Sequence, residues 1–390
     1  MVPILIAVQE MPSPKLNKII KYLPFIVFIL SLFFIVKTLF LDFYPDFKIH
    51  FLAPQEILHG INPYLGGKEY FTPDVHPPFA ILIFTPFILF SFEQAEKLWT
   101  LLSITLFSFS IYLIFKINKA KMFSAAGLYL CALTFAFYFP AKFTFGMGQI
   151  NTLLLFLTVL SIYSLNKNKD YLSGVFLSLS VMIKFFPLMF LPYLIIFKKW
   201  KMLISFLITS LVILFVTLVF IKPNINIYFY KDVLPTLIGG WKTEYYNQSL
   251  SGFLGRLMDN GYQREMLRIF ISSALILISF LVIIKNNSKK TNVINLILSL
   301  LVTLTLLINN FSWQHHFIWL IFPFITIFYF VKNEKLNWKY YSLLVLSFVL
   351  VSFNIKNPNL INPIFISHVF YGTLILWGLN LYLLFRKSAN

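Results

Sequence analysis

The chain alternates between long apolar runs and short basic clusters. Runs long enough to cross a bilayer, or nearly so, fall at 22–41, 98–115, 123–139, 148–165, 200–221, 267–284, 292–308, 313–331, 338–353 and 364–385. About 20 apolar residues span a hydrocarbon core of about 30 Å, and such runs predict membrane helices. Two stretches are ambiguous. Residues 79–92 follow Pro77-Pro78 and are short for a full span. Residues 171–197 are too long for one ordinary span and are interrupted by Lys184 and Pro187.

The basic clusters resolve both. Cytoplasmic loops carry the excess of Lys and Arg. If residues 22–41 run outward, Lys116, Lys119 and Lys121 are cytoplasmic only with a single crossing between residues 42 and 116. That crossing is 98–115, which leaves 79–92 as a re-entrant or interfacial helix. Lys167 and Lys169 share a side with Lys198, Lys199 and Lys201 only if 171–197 goes in and comes back as two short helices, with Lys184 near the turn. Lys285, Lys289, Lys290, Lys332, Lys335, Lys339, Arg386 and Lys387 then fall on that side too. The expectation is one polytopic, all-α membrane domain over residues 1–390, with about twelve membrane helices and both termini cytoplasmic. Two large non-cytoplasmic segments remain, 42–97 and 222–266. Lys15, Lys18 and Lys21 precede the first run and no small-residue cleavage site follows it. That run is expected to stay in the membrane and not to be removed as a signal peptide.

Composition changes the list of functions more than the topology. Hydrophobic residues make up 59% of the chain and charged residues 12%, against about 45–50% and about 25% in soluble globular proteins. A net charge of +18 would suggest nucleic acid in a soluble protein. Here the charge sits in the loops as an orientation signal, so no nucleic-acid partner is expected and the bilayer is the expected surrounding. The single cysteine, Cys131, excludes an internal disulfide, a thiolate zinc site and an iron–sulfur cluster. No P-loop, GxGxxG or heptad array is present.

Candidate chemistry concentrates in the outer segments. Asp42 and Asp46 follow the first run, in Asp42-Phe43-Tyr44-Pro45-Asp46-Phe47-Lys48-Ile49-His50. Carboxylates there either cap a helix or face water. The chemical alternative is a general base at the lip of a membrane cavity, where shielding raises basicity. Gly60-Ile61-Asn62-Pro63-Tyr64 is a turn signal followed by a tyrosine. His76-Pro77-Pro78 leads into the short apolar helix.

In these groups the chain resembles the polyprenol-phosphate-mannose-dependent alpha-mannosyltransferases, glycosyltransferase family 87 of the GT-C superfamily. The resemblance rests on five ordered groups between about residues 42 and 320. They are Asp46 to His50 with Gly60 to Tyr64; Gly148-Gln149-Ile150-Asn151; Lys184-Phe185-Phe186-Pro187; Asn247-Gln248-Ser249 with Arg256; and Ser312-Trp313-Gln314-His315-His316. His50 stands where family members often carry tyrosine.

The resemblance implies a GT-C-type fold and transfer from a lipid-phosphate-linked sugar on the non-cytoplasmic face. Asp46 matches the position of the family's base, for a one-step inverting displacement. A leaving phosphate must be held by cations or amide donors because its charge grows in the transition state. Lys184, costly inside an apolar stretch unless it has a partner or a cavity, is the first candidate; the plain alternative is snorkelling to the interface. His315, His316, Gln149, Asn247, Gln248 and Arg256 are further candidates for the donor's phosphate or sugar. Adjacent histidines on a helix point about 100° apart, so one of His315 and His316 is expected to face the site. Asp42, His50 and Tyr64 are placed on the acceptor side, the acceptor being a glycan or glycolipid. Asp42 and Asp46 do not form the metal-binding Asp-x-Asp pair of other superfamily members, so metal-independent catalysis without a cofactor is expected. The rival reading is a transporter or flippase of lipid-linked sugars, although no matched halves of an inverted repeat are seen.

Overall fold

The computed structural model describes residues 14–41, 44–66, 74–239, 243–286 and 290–389. Among them the regular elements are helical, apart from one isolated antiparallel bridge between Asn247 and Trp313. In chain order the helices are α1 (Pro14–Val36), α2 (Pro45–Leu58), α3 (Pro78–Phe84), α4 (Phe92–Ile117), α5 (Ala125–Ala136) and α6 (Phe139–Met147). Next come α7 (Asn151–Asn166), α8 (Asp170–Ile183), α9 (Leu191–Ile196), α10 (Trp200–Phe220), α11 (Pro223–Tyr228) and α12 (Leu234–Gly239). The last are α13 (Leu250–Leu257), α14 (Gly261–Lys285), α15 (Thr291–Ile308), α16 (Ile321–Asn333), α17 (Trp338–Ser352) and α18 (His368–Ala389).

Seven helical stretches among the described residues are long and apolar enough to cross a membrane, and eight if α5 and α6, bent by 47°, count as one. The α3 region, α7, α8, α9 with its preceding turn, and α17 are apolar but only 10–17 residues long. The expected half-length helix after Pro77-Pro78 is α3, extended by a 3-10 turn over Thr85–Leu89. The seven long stretches divide by burial. The one over Gln314–Asn333, which contains α16, is buried almost throughout, and α15 is mostly so. Helix α10 instead presents Leu211, Phe215 and Val219 outward, each more than 60% exposed. A soluble protein does not leave such a stripe in water, so lipid is the solvent of this face.

The chain runs out along α8 and back through α9. Lys199 Nζ at the start of α10 lies 3.6 Å from Asp170 Oδ1 at the start of α8, so Lys184 sits at the far turn of a hairpin. The basic loops meet at one end of the bundle. Asn166 Nδ2 donates to Asn295 Oδ1 at 2.8 Å, Asn295 Nδ2 to Ile117 O at 3.2 Å, and Asn118 Nδ2 to Thr326 Oγ1 at 3.1 Å. Lys387 Nζ lies 2.7 Å from Glu334 Oε2 at that end. Helix α15 starts there and rises for 18 residues, about 27 Å, to Thr305 and Ile308, which border a cavity of about 760 Å³. Cavity and basic loops therefore occupy opposite ends of the bundle.

Candidate active site

Pro45 opens α2, where its fixed φ suits the first helical position. Asp46 and His50 follow four residues apart, on one face. Both border a cavity of about 760 Å³, together with Gln149, Lys184, His315 and His316. The remaining wall is largely apolar, including Phe186, Leu188, Leu234 and Leu237. Leu188 is 44% exposed, so this wall reaches the outer surface of the bundle. A polar pole joined to an apolar wall fits an amphiphile.

Asp46 is held by Gln149, whose Nε2 donates to Asp46 Oδ2. That contact depends on the turn between α6 and α7. Gly148 there has φ +69°, and a Cβ on it would lie 2.5 Å from Phe47 Cβ. Only glycine allows both the left-handed backbone and this approach to α2. Trp99 Nε1 pins the turn by donating to Gly148 O at 2.9 Å. Burial pushes the Asp46 carboxyl above its ordinary value; the Gln149 hydrogen bond and the charges of His76 and Lys184 pull the other way. Burial lowers the pKa of His50, with the charges of His76 and Lys184 acting in the same direction. The neutral ring is the form present at physiological pH.

On the same cavity, Lys184 Nζ lies 2.7 Å from His316 Nε2 and 3.4 Å from Asn151 Oδ1. The Trp313 backbone N–H donates to His316 Nδ1 at 3.1 Å. A neutral imidazole that accepts at Nδ1 carries its proton on Nε2. The 2.7 Å contact is a hydrogen bond between Lys184 Nζ and His316 Nε2, and it gathers two nitrogens at one point of the cavity wall where an anion inserted between them would accept from both. The ring of Phe186 lies 5.6 Å from Lys184 Nζ. Both histidines border the cavity; the expectation that only one would do so is corrected. They lie on a 3-10 segment, Gln314–Leu320, with rings 4.4 Å apart and perpendicular. His315 Nδ1 is buried and has no hydrogen-bond partner among the described residues.

Other expected site residues lie elsewhere. Gln248 is fully buried, its Nε2 donating to Tyr245 O and Ile366 O. Asn247 is equally buried: its Nδ2 donates to Asn310 O, and its Oδ1 accepts from Ser249 Oγ and from the Ser312 N–H. Arg256 donates to Glu244 O, Asn247 O and Ser367 Oγ. None of the three borders the cavity. Asn247 ties the 244–256 segment to the loop before His315, and Gln248 and Arg256 tie it to Ile366 and Ser367, because buried amides and guanidinium must find partners. Tyr64 is likewise off the cavity. It packs on Phe229 and donates its hydroxyl to His76 O at 2.9 Å. Asp42 lies outside the described residues.

The sequence reading missed Asp74 and His76. His76 borders the cavity, and its Nδ1 lies 3.0 Å from Asp74 Oδ1. The available signal was the Asp-x-His-Pro-Pro spacing at residues 74–78.

Residues 75–309 match the sequence profile of Glycosyltransferase family 87. The match includes His76, Gln149 and Lys184 and leaves Asp46, His50, His315 and His316 outside it. The chain is 25% identical over 260 residues to a polyprenol-phosphate-mannose-dependent alpha-(1-2)-phosphatidylinositol pentamannoside mannosyltransferase of Mycobacterium tuberculosis (strain CDC 1551 / Oshkosh). That alignment takes in 64% of this chain and 57% of the relative's length. No solved structure matches. With more than half its length inside the family profile, the chain belongs to glycosyltransferase family 87.

Proposed function

We propose that this protein transfers a sugar from a polyprenyl-phosphate donor to a hydroxyl of a glycan or glycolipid, with inversion at the anomeric carbon. Mannose is the sugar named for the mycobacterial relative, and we assign it here on that basis. The observation that carries the reading is that a half-buried carboxylate, Asp46, and a hydrogen-bonded lysine–histidine pair, Lys184 and His316, border one cavity with an apolar wall.

In the reaction, the bond between the anomeric carbon and the phosphate oxygen breaks while the acceptor oxygen bonds to that carbon from the opposite face. The acceptor's proton passes to Asp46, and polyprenyl phosphate leaves with the bonding electron pair. Lys184 and His316 receive the growing phosphate charge, where donors fixed in a water-poor site act most strongly. Gln149 orients the Asp46 carboxylate. The lipid tail lies along the Phe186, Leu188 and Leu234 wall.

The cavity lies at the end away from the basic loops, so the positive-inside rule puts it on the non-cytoplasmic side of a cell membrane, with both termini cytoplasmic. In this account the shorter helices α7, α8, α9 and α17 also enter the bilayer, giving about twelve membrane helices in a GT-C-type arrangement. The test is direct. Purified protein in detergent receives labelled polyprenyl-phosphate mannose and candidate acceptors, and products are identified by mass spectrometry. Release of polyprenyl phosphate with a mannosylated product supports the enzyme. Donor binding without release supports a transporter instead.

A further inference from the structure

We propose that His50, Asp74 and His76 form a binding site for one divalent transition-metal ion of the zinc class, on the cavity wall beside Asp46. The three side chains are buried, and one ligand atom from each lies within 4.8 Å of the others. The donor set is two imidazoles and one carboxylate. Such a set suits zinc and its neighbours, whereas magnesium and calcium take oxygen ligands.

The geometry is close to what such an ion needs. A tetrahedral ion with ligands at about 2.0–2.1 Å separates its ligand atoms by roughly 3.3 Å. His76 Nδ1 and Asp74 Oδ1 are 3.0 Å apart, so a small opening accommodates the ion. Three protein ligands leave a fourth position. His50 and His76 border the cavity, which would supply water or a substrate oxygen to that position.

A second observation is independent of this spacing. His50 is 2% exposed, and its Nε2 has no hydrogen-bond partner among the described residues. Buried polar atoms are almost always partnered, and an orphan calls for an ion or another explanation. The ring cannot turn freely to find a partner. It stacks on Phe84 with centroids 4.4 Å apart and planes 5° apart, and meets His76 at 4.6 Å.

The loop side of the site is braced from outside, as ligand sets usually are. Tyr64 donates to His76 O, the Asp74 N–H donates to Pro63 O at 3.3 Å, and the Asn62 side chain accepts from the Tyr64 N–H at 3.1 Å. The turn read from Gly60 to Tyr64 thus holds the Asp74–His76 strand of backbone in place. Such an ion departs from the expectation of metal-independent catalysis drawn from the missing Asp-x-Asp pair. The proposal concerns binding and does not depend on the transfer reaction.

The experiment uses the full chain, purified in detergent without a histidine tag. It is equilibrated with zinc, dialysed and assayed for metal by mass spectrometry, and cobalt is substituted as a spectroscopic probe. The expected result is about one zinc per chain and a cobalt absorption typical of a four-coordinate nitrogen–oxygen site. His50→Gln and His76→Gln should each lose the metal while eluting as the wild type does, and His316→Gln should keep it. A wild-type protein that retains no zinc overturns the proposal, leaving His76 and Asp74 as a hydrogen-bonded pair. Full retention in both His50→Gln and His76→Gln, or loss in His316→Gln, overturns it equally.

Discussion

Replacing Asp46 with asparagine isolates its basicity from its shape. The amide has the size of the carboxylate and keeps an oxygen to accept from Gln149 Nε2. It lacks the charge and cannot take a proton. General-base assistance is typically worth 10²–10⁴-fold, which is about 2.7–5.5 kcal/mol of barrier at about 1.36 kcal/mol per tenfold. The structure fixes where the loss appears. The proposed hydrogen-bond donors to the phosphate are Lys184 and His316, not Asp46, so kcat is expected to fall while the donor KM changes little. The pH profile adds a sign. Burial raises the Asp46 pKa above its ordinary value, and in the proposed mechanism the ionised form is the active one. Turnover therefore falls as pH drops through that raised value, at a higher pH than an exposed aspartate would give. Gln149 donates to the charged form, so Gln149→Leu should move this acid limb to still higher pH. Initial rates of polyprenyl phosphate release between pH 4 and 8 measure all three effects. Near-normal turnover in Asp46→Asn, or a dead Asp42→Asn protein beside an active Asp46→Asn, would refute the assignment of the base.

Three further outcomes are expected. Lys184→Met keeps much of the side chain's length and removes the charge. Losing a hydrogen bond to a charged group, about 1.5–3 kcal/mol, should weaken donor binding by roughly 10- to 150-fold, measured by titration of labelled donor. Arg256→Ala removes a clamp among Glu244, Asn247 and Ser367, so thermal denaturation should show a lowered Tm, and protein that remains folded should bind donor normally. For topology, Cys131 is buried; cysteines placed at Leu65 and at Lys199 should differ, the first labelled by an impermeant reagent in intact cells and the second not.

Several residues that border the cavity were legible because each was costly where it stood. Lys184 interrupts an apolar run, Asp46 follows a first span, and two histidines open a buried helical segment; each required a cavity or a partner. The rest was not legible for a physical reason. Asn247, Gln248 and Arg256 belong to the same ordered set, but an amide or guanidinium that binds a ligand looks the same in sequence as one that binds a backbone carbonyl. Only the fold shows that Gln248 reaches Tyr245 O and Ile366 O. His50 and His76 are distant in sequence and meet only because α2 and the loop before α3 pack together. Helix lengths behaved similarly. Apolar runs marked the long helices, whereas the run over 123–139 breaks between α5 and α6, just before Pro140 in the first turn of α6.

The central claim is that one cavity holds both the donor phosphate and the base. Cryo-electron microscopy of the Asp46→Asn protein with polyprenyl-phosphate mannose tests it most directly. The account predicts phosphate density within hydrogen-bond reach of Lys184 Nζ and His316 Nε2, the sugar between that pair and position 46, and the lipid along the Phe186 and Leu188 wall. Phosphate bound at the opposite end, near Lys119 and Lys290, with none beside Lys184, would contradict it.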